Sequence, residues 1–271
     1  MTRKYQTVLV TGASSGMGKD FALRLLKDGM TVYAAARSVG KMKDLEDAGA
    51  IVLAMDITKE GDVVAAVEKI KAGHGGVDVL INNAGYGQYG PMEDTPVDKA
   101  QYQFEVNLFG LARLTQLLLP SMRSKKAGLI INISSVGGKI YTPLGSWYHA
   151  TKHALEGWSD CLRIELRPLG IDVVIIEPGL IDSGFSGALE ANFVAAEDTA
   201  YSKMIDALMK AAESGIAASP PSVITDLVVK AINARQPKTR YAAGKMGSSG
   251  IFMRWLLPDR WFDRMIMSQF S

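Results

Sequence analysis

Short apolar, β-branched runs alternate along this chain with longer stretches whose apolar positions recur every three or four residues. Thr7–Thr11 (TVLVT), Thr31–Ala36, Ile51–Met55, Val77–Ile81, Leu129–Ser134 and Ile171–Glu177 read as strands. They are nearly continuous apolar runs, the pattern of strands covered by helices on both faces in a parallel sheet. Between them Gly18–Asp28, Lys41–Ala48, Lys59–Lys71, Val97–Leu119 and Trp147–Leu166 read as helices. In Lys59–Lys71 the apolar positions Val63, Val64, Val67 and Ile70 form one stripe. Gly29 and Gly49 stand where left-handed caps stop a helix, and Pro120 is expected to end the long fourth one. Beyond Leu180 the pattern loosens, with helices expected near Ala200–Ala212 and Ser222–Asn233 and a late strand near Arg240–Ala243. Strand–helix repetition with short links predicts a doubly wound, mostly parallel α/β fold with right-handed crossovers. No linker divides the chain, so residues 1–271 read as one domain.

Composition narrows the function. The chain is 48% hydrophobic and 21% charged, enough for a sizeable core. A formal net charge of +2 with no basic run makes nucleic acid an unexpected partner. The single cysteine, Cys161, excludes an intramolecular disulfide and fits a reducing compartment. Six residues precede the first expected strand, too few for a signal peptide, and no apolar run reaches the ~18 residues of a membrane span. The expected location is the cytoplasm. Three histidines and one cysteine show no metal-ligand spacing, so no metal is expected.

Gly12, Gly16 and Gly18 stand where the first strand turns into the first helix, in Gly12-Ala13-Ser14-Ser15-Gly16-Met17-Gly18. Glycine there lets the backbone turn tightly and approach a phosphate, and the helix N-terminus favours an anion. The spacing is Gly-x-x-x-Gly-x-Gly; its place between an apolar strand and an amphipathic helix marks a nucleotide site rather than a plain turn. A carboxylate about 20 residues past such a loop would hold the ribose of NAD. Here Ala36 and Arg37 stand 18 and 19 residues past Gly18, and no acid occurs from Thr31 through Lys43. Arg37, Lys41 and Lys43 supply positive charge instead. A guanidinium can bind a 2′-phosphate with two parallel hydrogen bonds, so NADP(H) is expected over NAD(H).

A second motif, Tyr148-His149-Ala150-Thr151-Lys152, follows Ser135 by 13 residues. The Tyr-x-x-x-Lys spacing puts both side chains on one helix face. Together with the glycine loop, this resembles the short-chain dehydrogenase/reductase family in its shorter, single-domain, Rossmann-like form, over about residues 5–185. Asp56-Ile57, Asn82-Asn83-Ala84-Gly85, Asn107, Ile133-Ser134-Ser135 and Pro178-Gly179 stand at the family's spacing. The resemblance implies that Asp56 and Ile57 flank the adenine. It implies that Asn83, Ala84 and Gly85 line the cofactor and that Ile181, after Pro178-Gly179, meets the nicotinamide carboxamide. Ser183 keeps the hydroxyl of the threonine the family often has there. It further implies that Lys152 holds the nicotinamide ribose, that Asn107 binds a water linking Lys152 to solvent, and that the two long helices build a homodimer or homotetramer.

The expected activity is NADP(H)-dependent interconversion of an alcohol and a ketone or aldehyde. Tyrosine has a pKa of ~10, and the Lys152 ammonium, with the cationic ring of oxidised nicotinamide, is expected to lower it. Tyr148 then acts as the acid/base and Ser135 hydrogen-bonds the substrate oxygen. His149 and His153 read as helix-face residues, not bases. Ser135 lacks the Gly-x-Ser-x-Gly surroundings of a hydrolase nucleophile. Two rival functions are a non-catalytic NADP(H)-binding sensor and a nucleotide-sugar epimerase or dehydratase. Selectivity is expected from Tyr86–Pro96, Gly137–Trp147 and a lid at Leu180–Thr199, with Tyr86, Tyr89, Tyr141, Leu144, Trp147, Phe185 and Phe193 available to line a pocket. No clamp for phosphate or carboxylate is evident there, which points to an apolar alcohol or ketone. The tail Ile251–Phe270 mixes two tryptophans with five charged residues; it reads as a helix covering the substrate pocket, a subunit contact or an amphipathic membrane-surface segment, with simple packing on the body favoured.

Overall fold

The computed structural model describes residues 5–183, 192–213 and 218–268. Its sheet has seven parallel strands: β1 (Thr7–Thr11), β2 (Thr31–Ala36), β3 (Ile51–Ala54), β4 (Val79–Asn82), β5 (Gly128–Ile133), β6 (Ile171–Pro178) and β7 (Arg240–Ala243). Their order is β3-β2-β1-β4-β5-β6-β7, a doubly wound Rossmann-like arrangement. The chain runs outward from β1 to β3, then returns to the other side of β1 with β4. That reversal opens a crevice beyond the strands' carboxyl ends, where such sheets bind ligands.

The strands need apolar residues on both faces because helices cover both. On β1, Val8 and Val10 face a core shared with Phe21 and Leu25 of α1 (Gly16–Lys27) and Ile224 and Val228 of α8 (Ser222–Asn233). Leu9 between them faces the opposite core, with Ile70 of α3 (Glu60–His74), Leu114 and Leu118 of α5 (Gly110–Lys125) and Leu162 of α6 (Ser146–Leu166). Each such side chain, taken from water, contributes about 1.5–3 kcal/mol. The remaining helices are α2 (Lys43–Asp47), α4 (Val97–Phe104), α7 (Ser202–Glu213), α9 (Gly247–Leu256) and α10 (Asp259–Met267).

Two expectations are corrected. The helix foreseen over Val97–Leu119 is interrupted by a π-helical turn at Glu105–Phe109, which separates α4 from α5. Pro120 does not end α5, which continues to Lys125. Proline costs ~3 kcal/mol inside a helix, but Leu118 and Met122 on either side are fully buried, which offsets that loss. The stop is Lys126, in the left-handed region at φ 50°. Boundaries elsewhere moved by one to three residues; α1, for example, starts at Gly16 rather than Gly18.

The tail forms α9 and α10, with Pro258 as the N-cap of α10. Phe262 and Ile266 bury their side chains with Ile140. Tyr141 meets Phe262 edge-on at 5.2 Å and donates its hydroxyl to Asp263 Oδ1 at 2.9 Å. The inner face of the tail therefore packs on the segment that precedes the Tyr148 helix. No helix among the described residues is long and apolar enough to cross a membrane.

Candidate active site

Thr11, at the end of β1, stitches the switch point shut. Its hydroxyl accepts the Asn83 and Ala84 N–H groups, each at 3.0 Å, and Asn83 Nδ2 returns a bond to the Thr11 carbonyl at 2.9 Å. The chain can approach so closely only without Cβ atoms. One at Gly12, which has φ +65°, would lie 2.9 Å from Ala84 Cα. One at Gly16, with φ +52°, would strike the Ser183 carbonyl. Gly18 lies against the Gly12 carbonyl and Asn83, so it serves helix–strand packing and does not wall the cleft. Ser15 takes the N-cap position of α1 without capping it by side chain, and the first turn carries no acid. The positive end of the helix dipole is thus left for an anion.

The cleft beyond this loop holds about 500 Å³. Ser14, Ser15 and Met17 form one stretch of its wall, Asn83, Ala84 and Gly85 another, and Asp56 and Ile57 a third. Ser183 closes it from the start of the lid. Arg37 lies at the β2 end and donates to the Tyr102 hydroxyl at 3.3 Å. Burial pushes the Asp56 carboxyl up, but hydrogen bonds from Thr58 and the charges of Arg37 and Lys59 more than offset it, leaving the carboxyl below its usual range. Lys99 and Tyr102 of α4 and Gln88 also line the cleft. No motif announced them; Lys99 and Tyr102 come in because α4 meets Arg37 just past the end of β2.

The proposed reacting groups gather at the ends of β5 and α6. Ser135 leaves β5 and accepts the Gly137 N–H at 3.0 Å. Tyr148 and Lys152, one turn apart on α6, are both buried. Burial pushes Tyr148 up to about 12, opposed by its hydrogen bond with Ser135. The expectation that Lys152 lowers this pKa is therefore corrected for the protein groups alone. The reason is geometric: the Lys152 ammonium donates to the Ile133 carbonyl at 3.0 Å and stands 6.0 Å from the Tyr148 ring centroid. Lys152 itself is lowered to about 8 by burial, against the field of Glu156.

Asn107 lies in the π turn, where its side-chain amide makes three hydrogen bonds. Its Oδ1 accepts the Tyr86 N–H at 3.0 Å, and its Nδ2 donates to the Tyr86 carbonyl at 2.9 Å and to Thr151 Oγ1 at 3.1 Å. The amide thereby clasps the loop after β4 to α6. A Cβ at Gly85 would lie 3.1 Å from Asn107 Oδ1 and 3.8 Å from Lys152 Nζ, so the cofactor loop passes directly beside this clasp.

Pro178 and Gly179 end β6 and do not line the cleft. Gly179 instead lets the backbone approach Gly247 closely, with a notional Cβ 2.8 Å from the Gly247 nitrogen. Ile181 pairs with Ser219 and packs its side chain on the core, so it does not wall the cleft either. His149 is a strut: Thr142 N–H donates to Nε2 at 3.1 Å, which leaves the proton on Nδ1 to meet the Gly137 carbonyl at 2.9 Å. Burial lowers its pKa, consistent with a neutral ring. Among the described residues no cluster of histidine, cysteine or carboxylates could hold a metal.

The three segments expected to set selectivity meet at Tyr148. Tyr89 lies against its ring at 5.4 Å between centroids. Gly90 N–H donates to the Leu144 carbonyl at 2.8 Å, and Val194 N–H to the Tyr89 carbonyl at 3.0 Å. Gln88 reaches the Asn192 carbonyl. Tyr86 faces the cofactor cleft beside Tyr102, while Tyr141 belongs to the tail contact. Phe185 and the middle of the expected lid lie outside the described residues.

Comparison with known proteins places this arrangement. A family model described as short chain dehydrogenase matches residues 6–193. A 3-ketodihydrosphingosine reductase of Bacteroides thetaiotaomicron is 40% identical over 182 residues, 67% of this chain and 66% of that protein. An NADPH-dependent 3-dehydrocapnine reductase of Ornithobacterium rhinotracheale is 34% identical over 270 residues, covering 95% of this chain and 94% of that one. A short-chain dehydrogenase of Streptomyces avermitilis superimposes with a TM-score of 0.85 at 32% identity, over 94% of both chains. Two further structural neighbours hold nicotinamide cofactors. A serine dehydrogenase with NADP+ has a TM-score of 0.79 at 25% identity, over 89% of this chain and 95% of its own. A Burkholderia phymatum relative with NAD has a TM-score of 0.76 at 27% identity, over 89% and 90%. The glycine loop, the switch-point cleft and these matches lead to one conclusion: the chain belongs to the short-chain dehydrogenase/reductase family and is an oxidoreductase.

Proposed function

We propose that this enzyme is an NADPH-dependent reductase of an apolar ketone, with Tyr148 as proton donor. The observation that carries the reading is that Ser135, Tyr148, Lys152 and Tyr89 gather beside Gly85, which lines the cleft. The cradle fits a dinucleotide because Cβ atoms at Gly12 and Gly16 would have no room and α1 presents its bare N-terminus there. Arg37, oriented by Tyr102 and neighboured by Lys99, supports the 2′-phosphate form. When bound, the reduced nicotinamide supplies the hydride. Tyr148, at about 12, is protonated at neutral pH and can donate to the carbonyl oxygen. Ser135, already hydrogen-bonded to Tyr148, is placed to fix that oxygen. Lys152, at about 8, is mostly charged at neutral pH and can hold ribose hydroxyls.

The relatives' names support the substrate class, since two of them are named as reductases of keto compounds. We further propose a homodimer or homotetramer built on the long helices, where Phe109 and Ile164 are 54% and 69% exposed. The test is NADPH and NADH consumption with a panel of long-chain and short ketones. Faster turnover of long-chain ketones with NADPH supports the reading; preference for NADH, or for short polar substrates, removes it.

A further inference from the structure

The inner face of the tail is accounted for by packing; its outer face is not. Trp255 is 78% exposed, Trp261 60%, Phe252 54% and Leu256 52%. Phe252 and Trp255 lie side by side at 6.0 Å between ring centroids. Within the 23 residues from Lys245 to Met267 there are four bases (Lys245, Arg254, Arg260, Arg264) against two acids, Asp259 and Asp263. That excess equals the net charge of the whole chain, +2. Both acids are engaged: Asp259 pairs with Arg254 at 2.7 Å, and Asp263 accepts from Tyr141. Arg264 lies over the Trp261 ring at 5.4 Å.

We propose that the outer face of α9 and α10 docks on a lipid surface carrying anionic headgroups. Tryptophan rings flanked by arginines suit the boundary of a bilayer, where the ring enters the acyl edge and the guanidinium stays with the phosphates. Interfaces between proteins also enrich tryptophan and arginine, so a second copy of this chain is the competing occupant, and solution mass separates the two. Helices of ten and nine residues are too short to span a bilayer and can only lie in its plane. The helices that carry the docked face hold to the body by their inner face, where Phe262 and Ile266 pack on Ile140 and Tyr141 contacts Phe262. Binding does not require the reductase reading and is measured without substrate.

The test is co-sedimentation of the full chain with phosphatidylcholine vesicles, with and without phosphatidylglycerol, alongside its tryptophan emission and its mass by light scattering. The expected result is binding to the anionic vesicles with a blue shift, weakened by high salt. The double variant W255S/W261S should bind at least tenfold less. The variant R260E/R264E, which keeps the rings, should lose the preference for phosphatidylglycerol. Both should keep wild-type mass and reduce a water-soluble ketone as wild type does. Absence of vesicle binding, or binding unchanged in either variant, overturns the proposal. A fall in mass on W255S/W261S also overturns it, by showing that a second copy covers the face.

Discussion

Burial acts on Tyr148 and Lys152 in opposite directions. It holds the phenol protonated, at about 12, and draws the ammonium down to about 8. The charged form of Lys152 exists below its pKa, so ketone reduction should fall as pH rises through about 8. A pH–rate profile checks this, and Lys152→Arg, which stays charged, should lose that limb along with part of the rate. Glu177 offers a separate test. Burial, with the repulsion of Glu156, raises it to about 7 against an ordinary 4.5, while Lys139 and Arg240 oppose the shift. The folded chain therefore keeps a proton that the unfolded chain releases. This stabilisation is complete below about 4.5 and is lost as pH rises to about 7. Thermal unfolding midpoints measured across that window should decline in the wild type and decline less in Glu177→Gln. The sequence motif marked which residues meet at the site but not their charge state, because protonation depends on burial and on neighbours such as Ile133 from another part of the chain. For the same reason the clasp made by Asn107 was not legible: its partners, Tyr86 and Thr151, are 21 and 44 residues away.

At the scale of elements, the glycine loop is the most exacting part. Gly16→Ala would place a side chain at φ +52° against the Ser183 carbonyl. The left-handed strain costs the fold roughly 1–2 kcal/mol, and relief of the clash displaces Ser183, which lines the cleft; about 1.4 kcal/mol of lost contact there is a tenfold change in affinity. NADPH binding, followed by fluorescence titration, should weaken at least about tenfold, with little loss of secondary structure. The strands and the helices α1, α3, α6 and α8 were readable because their apolar residues repeat locally. The π turn was not, since nothing in the run of residues 97–119 breaks helical periodicity. Pro120 misled because its cost is outweighed by the burial of Leu118 and Met122, a tertiary effect. The tail was expected to pack on the body, and Phe262 and Ile266 do so; which residues it would meet was not legible, because Ile140 and Tyr141 lie far back in the sequence.

For the molecule as a whole, the sheet order explains why residues far apart in sequence meet. Gly12 follows β1 and Asn83 follows β4, and the reversal between those strands brings them into contact, while the β5 and α6 ends carry Ser135 and Tyr148 to the same side. The exposed Phe109 and Ile164 belong to the helices on the opposite flank of the fold from α1 and α8. If they form the subunit contact, Ile164→Asp should lower the solution mass by at least half. An unchanged mass, or a wild type that is already monomeric, would rule that contact out. The central claim is tested most directly by following NADPH oxidation with a long-chain ketone in wild type and Tyr148→Phe. The account predicts turnover in the wild type and a loss of at least about a thousandfold in the variant, with NADPH affinity retained. A variant that reduces the ketone at the wild-type rate would contradict it.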